Sequence, residues 1–469
     1  MPFEPNELPD LLPTPAITSL GDFVARGGGR AIAVAREIGP GATIQEVTLS
    51  GLRGRGGGGY PTGRKWASIR GAGPDDGAGD RYVVANGAEG EPGTFKDRAI
   101  MRADPYQVIE GVAIAALAVG ARAAYVAVKA SFRREIEALE RALVEMADAG
   151  IVGDVPITLV AGPEEYLFGE ETGLLQVIEG DAPLPRLYPP YIQGLFARTP
   201  ESGWSAGPGT GSPPTTFDAA NPTLVNNVET LATVTHVLRR GAEWHRALGT
   251  RQSAGAAVCT VVGDVVTPGV AVVELGTPLG EVIDQVGGGV APGRSVKAVL
   301  SGVSNPALTG DRLDAPVSHE GLSAAGGGLG SCGFVVYDDT TDVVELAQVL
   351  SRFLYVESCG QCPACKLGTG EITAQLASLL DGRADIDAVE VIGGRLRSVT
   401  DGNRCYLPIE EQSLISSLLR AFPDDFARAI EGRPARRRGL VVPKLVDLAD
   451  GVATYDERQA RKQPDWTYA

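Results

Sequence analysis

Four of the six cysteines in this 469-residue chain have a spacing that suits one metal centre. Cys359, Cys362 and Cys365 form a C-x2-C-x2-C motif, and Cys405 follows 40 residues later. Zinc sites usually take their ligands as two pairs, whereas three closely spaced thiolates with one distant thiolate are typical of an iron–sulfur cluster. The spacing therefore favours a [4Fe–4S] cluster over a zinc ion or over unligated buried thiols. We interpret the other two cysteines as small buried side chains.

A second candidate site is the glycine-rich segment GLRGRGGGGYPTGRKW at 51–66. Glycine permits positive φ and allows backbone N–H groups to approach a phosphate, and the arginines and Lys65 add positive charge. The segment does not follow a predicted strand, so it is neither a Walker A loop nor a dinucleotide fingerprint. It predicts a phosphate cradle, with a flexible surface turn as the alternative.

A third candidate is the acidic loop NGAEGEPGTFKDR at 86–98, which directly follows a predicted strand at 82–85. Sheets of α/β proteins bind their ligands at the carboxyl ends of the strands. Carboxylates at such a place suit the hydroxyl groups of a ribityl or ribose chain. The alternative is a solvated charged loop.

The surrounding pattern indicates an α/β first half. An Ala-rich helix that ends near Gly120 precedes a strand at 124–128, and an amphipathic helix at 131–150 precedes a strand at 157–160. Such alternation is typical of layered α/β proteins. Short β-type runs then fill 256–337, and helical periodicity returns with the cysteines.

Composition excludes several classes of protein. Gly (62) and Pro (32) are abundant but show no Gly-X-Y period, so collagen is excluded and a loop-rich enzyme is favoured. The net charge of −16 argues against nucleic-acid binding. We find neither a secretory signal nor a convincing membrane span. We therefore expect a cytoplasmic, reducing environment, in which clustered cysteines bind metal rather than form disulfides.

Five segments, in order along the chain, resemble the NADH-binding flavoprotein subunit of respiratory complex I and the related diaphorase subunits of NAD-linked hydrogenases and formate dehydrogenases. They are the glycine-rich segment, the acidic loop, YLFGEET at 166–172, VNNVET at 225–230 and ESCGQCPACKLG at 357–368. The resemblance covers about residues 17–430. It implies an α/β multidomain protein with a Rossmann-like FMN-binding domain, a ubiquitin-like β-grasp domain and a C-terminal helical bundle that carries the [4Fe–4S] cluster.

The domain boundaries that we expect follow from this resemblance and from the changes in pattern. They are an N-terminal helical segment (1–50), the Rossmann-like FMN/NAD-binding domain (51–247) with an insertion (199–222), the β-grasp domain (248–339), the helical bundle (340–432) and a C-terminal tail (433–469). The arginines at 433–438 form a candidate docking patch for partner proteins.

The resemblance also implies roles for individual residues. The FMN phosphate and ring would be held by Gly54, Arg55, Gly56, Gly57 and Lys65. The rest of the flavin pocket would be formed by Asn86, Glu89, Tyr166, Gly169, Glu170, Val225, Asn226, Asn227 and Thr230. The nicotinamide nucleotide would face Glu91 and Glu171, and the cluster would be bound by Cys359, Cys362, Cys365 and Cys405.

Two functions are consistent with these residues. The first is an enzyme that transfers hydride from NADH to FMN and passes single electrons to the cluster and on to partner subunits. Its expected partners are a thioredoxin-like [2Fe–2S] subunit and a larger redox subunit in a hetero-oligomer, without nucleic acid. The second is a non-enzymatic electron-transfer or scaffold subunit that keeps the cluster and exchanges electrons only with proteins.

Departures from the family pattern separate the two functions. Ala88 replaces an Asp that contacts the flavin, Ser68 and Tyr191 replace two Phe side chains that stack on adenine, and Tyr188 replaces a basic residue. These changes favour the second function. Glu91 and the intact GEET segment that contains Glu171 favour the first, which we prefer.

Overall fold

The computed structural model describes residues 7–72, 79–198, 219–383, 385–433 and 436–468. Its helices are α1 Leu20–Ala25, α2 Arg30–Leu49, α3 Thr62–Gly71, α4 Lys96–Ala103, α5 Pro105–Val119, α6 Arg133–Asp148, α7 Glu171–Ile178, α8 Val228–Arg240, α9 Ala242–Ala247, α10 Leu279–Gly287, α11 His319–Ala324, α12 Val343–Glu357, α13 Pro363–Leu380, α14 Ile386–Ser398, α15 Leu407–Ala421 and α16 Pro423–Ile430. Its strands are β1 Tyr82–Gly87, β2 Ala123–Lys129, β3 Ile157–Gly162, β4 Thr223–Asn227, β5 Ala256–Gly263, β6 Gly269–Glu274, β7 Val296–Ser301, β8 Leu308–Thr309, β9 Gly333–Asp338, β10 Leu445–Ala449 and β11 Val452–Tyr455. Short 3-10 helices lie at Tyr166–Gly169, Gly310–Arg312 and Glu457–Arg461.

The first half contains the expected parallel sheet, with strand order β3-β2-β1-β4. Its two central strands are almost wholly apolar because helices cover both faces. Asn86 of β1 lies opposite Asn227 of β4, so the side chains that follow these two strands meet at one edge of the sheet. The edge is the carboxyl end of the strands, where the sequence predicts the acidic loop.

The Ala-rich stretch forms α5, which packs against the sheet and against α2 and α8. Asp104 caps its N-terminus by accepting a hydrogen bond from the backbone N–H of Gln107 (3.2 Å). Gly120 ends it in the left-handed conformation, with φ of 71°. Among the described residues, no helix has the length and the apolar character that are required to cross a bilayer.

The short β-type runs form a five-stranded mixed sheet of order β6-β5-β9-β7-β8, with α10 packed on β5 and β6. The central pair β5 and β9 is parallel, and the other pairs are antiparallel. This is the order of a ubiquitin-like β-grasp, as expected. Cys259 and Cys332 are buried in its core, as the sequence predicts for the two cysteines outside the cluster motif.

The helices that follow, α12 to α16, pack around a common apolar core. Three of the motif cysteines lie at the junction where α12 ends and α13 begins, and Cys405 lies two residues before α15. The helix ends therefore determine where the four thiols lie.

The C-terminal segment, expected as a tail, folds against the rest of the chain. It contains the β10–β11 hairpin, and its apolar side chains join the core of the helical bundle. Arg437 pairs with Asp381 (2.9 Å), and Arg438 pairs with Asp264 (2.6 Å). These two arginines of the expected docking patch thus have ion-pair partners within the chain and remain partly exposed. Most of the expected insertion, 199–218, lies outside the described residues.

A buried ion pair fixes this C-terminal segment to α12. The Nζ atom of Lys462 donates to both carboxylate oxygens of Glu357, at 2.9 and 2.8 Å, and both side chains are fully buried. Removal of one partner leaves a buried charge without compensation, which is more costly than the loss of an exposed pair.

We expect Lys462→Met to lower the free energy of unfolding by roughly 3–5 kcal/mol, since the Glu357 carboxylate then stays buried without its cation. Urea denaturation followed by circular dichroism measures this change. Arg383→Met is the matched control, because Arg383 forms an exposed pair with Asp381 and its loss costs less than about 1 kcal/mol. Equal effects of the two substitutions would contradict this role of the buried pair.

Candidate active site

A cavity of about 630 Å³ opens at the carboxyl ends of β1 and β4. Cofactor pockets commonly have about 300–1,000 Å³, so its size suits a mononucleotide. The glycine-rich segment, the acidic loop, the Tyr166–Gly169 turn, the loop after β7 and the start of α15 all contribute to its wall. The expected site residues on this wall are Gly56, Gly57, Asn86, Glu89, Glu91, Tyr166, Gly169, Glu170, Glu171, Asn227 and the cluster ligand Cys405.

The glycine-rich segment forms a closed loop whose backbone faces the cavity. The N–H of Gly54 donates to the carbonyl of Tyr60 (2.9 Å), which closes the neck of the loop. Gly57 has φ of 111°, and a Cβ atom on Gly57 or Gly58 would have no neighbour within 4 Å. The cavity wall thus has open space beside these two glycines, which fits a cradle for the phosphate of FMN.

Several residues expected at the flavin lie outside the cavity wall and hold the loop instead. The guanidinium of Arg55 turns inward and donates to the carbonyl groups of Ala254 (3.3 Å) and Ala256 (3.0 Å). The backbone N–H of Arg55 donates to the hydroxyl of Thr230 (2.9 Å). These contacts tie the glycine loop to α8 and to the first strand of the β-grasp domain.

The remaining residues outside the wall fix neighbouring elements. The indole N–H of Trp66 donates to Oδ1 of Asn226 (2.7 Å), which joins α3 to β4, and Val225 is buried in β4. Lys65 forms an ion pair with Glu171 at the edge of the cavity. Its ammonium group is therefore close to the wall, and this contact places it beside the residue expected to face the nucleotide.

The acidic loop is held by the N-terminus of α4. Glu89 accepts hydrogen bonds from the backbone N–H of Asp97 (2.8 Å) and from Nε of Arg98 (2.8 Å). Lys96, which the sequence analysis missed, is buried between Asp97 (2.7 Å) and Glu229 (2.8 Å). Burial raises the pKa of Asp97 to about 7, and the charge of Lys96 opposes this shift. Charged residues in a loop are usually exposed, so the sequence did not predict the burial of Lys96 and Asp97.

Glu91 joins the acidic loop to the β-grasp domain. Its Oε1 atom accepts hydrogen bonds from the backbone N–H groups of Val303 (2.7 Å) and Ser304 (3.1 Å). Its Oε2 atom accepts a hydrogen bond from the hydroxyl of Tyr166 (2.6 Å). Ser304 and Asn305 thereby reach the cavity wall, and no sequence signal beyond a turn composition marks them.

The two glutamates of the GEET segment have different surroundings. Glu170 caps α7, since its Oε2 atom accepts hydrogen bonds from the N–H groups of Thr172 (2.9 Å) and Gly173 (2.8 Å). Burial raises the pKa of this carboxyl. Glu171 is more exposed and pairs with Lys65. The helix N-terminus at the cavity therefore presents one fixed and one accessible carboxylate.

The positions that depart from the family pattern do not line the cavity. Ala88, within the acidic loop, is fully buried. Ser68 is exposed, and its hydroxyl donates to the carbonyl of Lys65 (2.8 Å). Tyr191 is 57% exposed on the surface. The residues that form the cavity wall are thus other than the four that depart from the family pattern.

The four motif cysteines surround a second, smaller cavity. Among the described residues, no three His, Cys, Asp or Glu side chains converge on a position that would hold a single metal ion. The four thiols line this cavity together, as expected of the ligands of one cluster. Leu167, Cys405 and Leu407 line both cavities, so the two sites share a wall.

The cluster site offers little compensation for free thiolates. Burial raises the pKa of Cys365 to about 11 and raises that of Cys405 further. The nearby Lys366 directs its Nζ atom at the carbonyl groups of Tyr355 (3.1 Å) and Ser358 (2.7 Å). Thiolate ligands at this place therefore depend on the positive charge of bound iron.

Comparison with known families agrees with both cavities. Residues 47–236 match the Nuo51 FMN-binding domain, and residues 345–429 match the NADH-ubiquinone oxidoreductase-F iron-sulfur binding region. The chain is 35% identical to the second F-type subunit of the NADH-quinone oxidoreductases of Rhizobium meliloti (strain 1021), over 88% of this chain and 95% of the relative. It is 34% identical to the F-type subunit of NADH-quinone oxidoreductase of Rhodobacter capsulatus, over 90% and 95% of the two chains.

Solved structures give the same result. The fold is similar to a chain of an NAD+-reducing [NiFe]-hydrogenase in the H2-reduced state, with a TM-score of 0.73 and 30% identity over 87% of this chain and 66% of the other. The air-oxidised state of such a hydrogenase gives a TM-score of 0.71 and 29% identity, over 91% and 68% of the two chains. The expected fold class and the FMN and [4Fe–4S] cofactors are confirmed, and the chain belongs to the family of the F-type subunits of NADH-quinone oxidoreductases.

Proposed function

We propose that this chain is the electron-input subunit of a hetero-oligomeric redox complex, in which it oxidises NADH at the larger cavity and passes electrons to the cluster. The observation that carries this proposal is the shared wall. Leu167, Cys405 and Leu407 border both cavities, so a flavin in the first would lie next to a cluster in the second. Bound FMN supplies the conversion of a two-electron hydride transfer into single-electron steps.

The residues of the chain bind and orient the reactants in this proposal. The glycine loop around Gly57 receives the flavin phosphate, since it lines the cavity and has open space beside its backbone. Asn86 is fixed by a hydrogen bond from its Nδ2 atom to the carbonyl of Gly169 (2.8 Å), which holds two parts of the wall together. Glu89, Glu91 and Glu170 offer carboxylate oxygens to hydroxyl groups of the ligand.

Glu171 is the carboxylate best placed to meet the nicotinamide nucleotide. It lines the cavity, remains partly exposed and is held by Lys65 at the cavity edge. The pair can separate when a ligand enters, because both side chains reach solvent. Lys65 would then be available to a phosphate of the nucleotide or of the flavin.

The proposed partners are a thioredoxin-like [2Fe–2S] subunit and a larger redox subunit, in a cytoplasmic assembly. Beside the cysteine motif, Leu367 is 68% exposed and Tyr406 is 54% exposed. Large apolar side chains at such a position favour contact with another protein over contact with water. This surface is our candidate for the exit of electrons.

The enzymatic function is tested by anaerobic mixing of the purified, FMN-loaded chain with NADH. We expect the visible absorption of the oxidised flavin to bleach within the mixing experiment, because hydride transfer needs no partner subunit. Dithionite provides the control for complete reduction. Flavin that dithionite reduces and NADH leaves oxidised would support the scaffold function instead.

We expect Cys405→Ser to abolish assembly of the [4Fe–4S] cluster, because it removes the ligand that closes the site from the α15 side. Iron and sulfide analysis together with electron paramagnetic resonance of the reduced protein measures the loss. Cys259→Ala is the matched control, since that thiol is buried in the β-grasp core. Unchanged iron and sulfide in Cys405→Ser would show that the fourth ligand is another residue.

A further inference from the structure

One tyrosine hydroxyl on the cavity wall contacts two carboxyl groups. The Oη atom of Tyr166 lies 2.6 Å from Oε2 of Glu91 and 3.0 Å from Oε1 of Glu410. A phenol has one hydrogen and can donate to one of them only. The second contact is a hydrogen bond only if a carboxyl group supplies its own proton. The three side chains therefore carry two dissociable protons in total, one on the phenol and one on a carboxyl group.

The surroundings place that proton on Glu410. Burial raises the pKa of Glu91 too, but two backbone hydrogen bonds and that of Tyr166 oppose this shift and favour its ionised form. Glu410 is buried, and its Oε2 atom has no partner among the described residues. Neither carboxyl forms a salt bridge within the described part of the chain. Burial and the charge of Glu91 hold the pKa of Glu410 well above its usual range.

The other charged groups around this trio have partners of their own or lie across the cavity. Glu411, the next residue of α15, accepts a hydrogen bond from the hydroxyl of Ser351 (2.6 Å), and burial raises its pKa to about 8. Glu357 of α12 is paired with Lys462. The remaining groups are Glu89 with Arg98, Glu170 at the N-terminus of α7, Glu171 with Lys65, Lys96 with Asp97 and Lys129 behind Gly90.

We propose that Glu410 is a proton-holding, positioning residue of the flavin cavity, which donates to Tyr166 so that Tyr166 donates to Glu91. The inference rests on the proposed function. Hydride carries two electrons and one proton, so its transfer to a ligand in this cavity adds one negative charge there. When Glu410 is protonated, the cavity wall carries one negative charge less during this transfer than it would with an ionised Glu410. The second proton of the reaction comes from solvent.

If Glu410 holds this proton, the midpoint potential of a flavin in the cavity depends on the ionisation of Glu410 and therefore on pH. When Glu410 ionises at high pH, its charge opposes flavin reduction, and reduction in turn favours its protonated form. Glu410 therefore ionises at a lower pH beside the oxidised flavin than beside the reduced flavin. Between these two pH values, the flavin midpoint potential of the wild-type chain falls more steeply with pH, because reduction then takes up one further proton. Glu410→Gln keeps a neutral donor toward Tyr166 but cannot ionise.

The first test uses the apoprotein. The infrared difference spectrum between wild type and Glu410→Gln at neutral pH should show the loss of one protonated-carboxyl component, and this readout needs neither FMN nor NADH. A difference spectrum is required because burial also raises the pKa of other carboxyl groups, such as that of Glu411 to about 8. The second test is a potentiometric titration of the FMN-loaded chains across pH. We expect Glu410→Gln to lose the steeper interval. Glu371→Gln is the control that should retain it, because this carboxylate of α13 is partly exposed and paired with Arg395.

The two tests separate the two proposals. An infrared difference spectrum without that loss would show that Glu410 is ionised, and a pH profile of the potential identical to wild type would show that its charge does not reach the flavin. Either result overturns the role of Glu410. Failure of NADH to bleach the flavin, with the infrared band lost as expected, would overturn the enzymatic function alone.

Discussion

The relative position of the two redox sites depends on the hydrogen bonds of one buried carboxylate, that of Glu357. It lies at the end of α12, two residues before the first cysteine of the motif. Its oxygens accept hydrogen bonds from the backbone N–H of Tyr166 (3.0 Å), on the flavin cavity, and from Nζ of Lys462 (2.8 and 2.9 Å), on the C-terminal segment. One carboxylate thereby sets the position of the cluster motif relative to the flavin cavity. Because it is fully buried, its cation is required for the arrangement to be stable.

The larger cavity is formed where three parts of the chain meet rather than within one of them. Arg55 ties the glycine loop to β5, and Glu91 ties the acidic loop to the backbone after β7. Tyr166 reaches Glu410 on α15. Each of these polar contacts crosses from the parallel-sheet part to the β-grasp or to the helical bundle. The geometry of the site is thus a property of their assembly, and a substitution in one part is expected to alter the wall formed by the others.

The sequence predicted the local features well because their signals are local. The cysteine spacing, the glycine loop and the strand that ends at Asn86 each depend on neighbours within a few residues. Arg55 was expected at the flavin because a basic side chain in a glycine loop suits a phosphate, yet carbonyl groups about two hundred positions away bind its guanidinium. Such long-range partners leave no mark on the local pattern. The same limit applies to Glu410. Its sequence surroundings indicate only a helix, and its contact with Tyr166 depends on the packing of α15.

In the proposed function, electrons cross the wall formed by Leu167, Cys405 and Leu407 from the flavin to the cluster. Rapid-freeze electron paramagnetic resonance after anaerobic addition of NADH measures it most directly, with the chain compared before and after removal of FMN. We expect the signal of the reduced cluster to develop in the FMN-loaded chain, to be absent after the flavin is extracted and to return when FMN is restored. A cluster signal that develops equally without FMN, or a fully bleached flavin beside a cluster that stays oxidised, would contradict it.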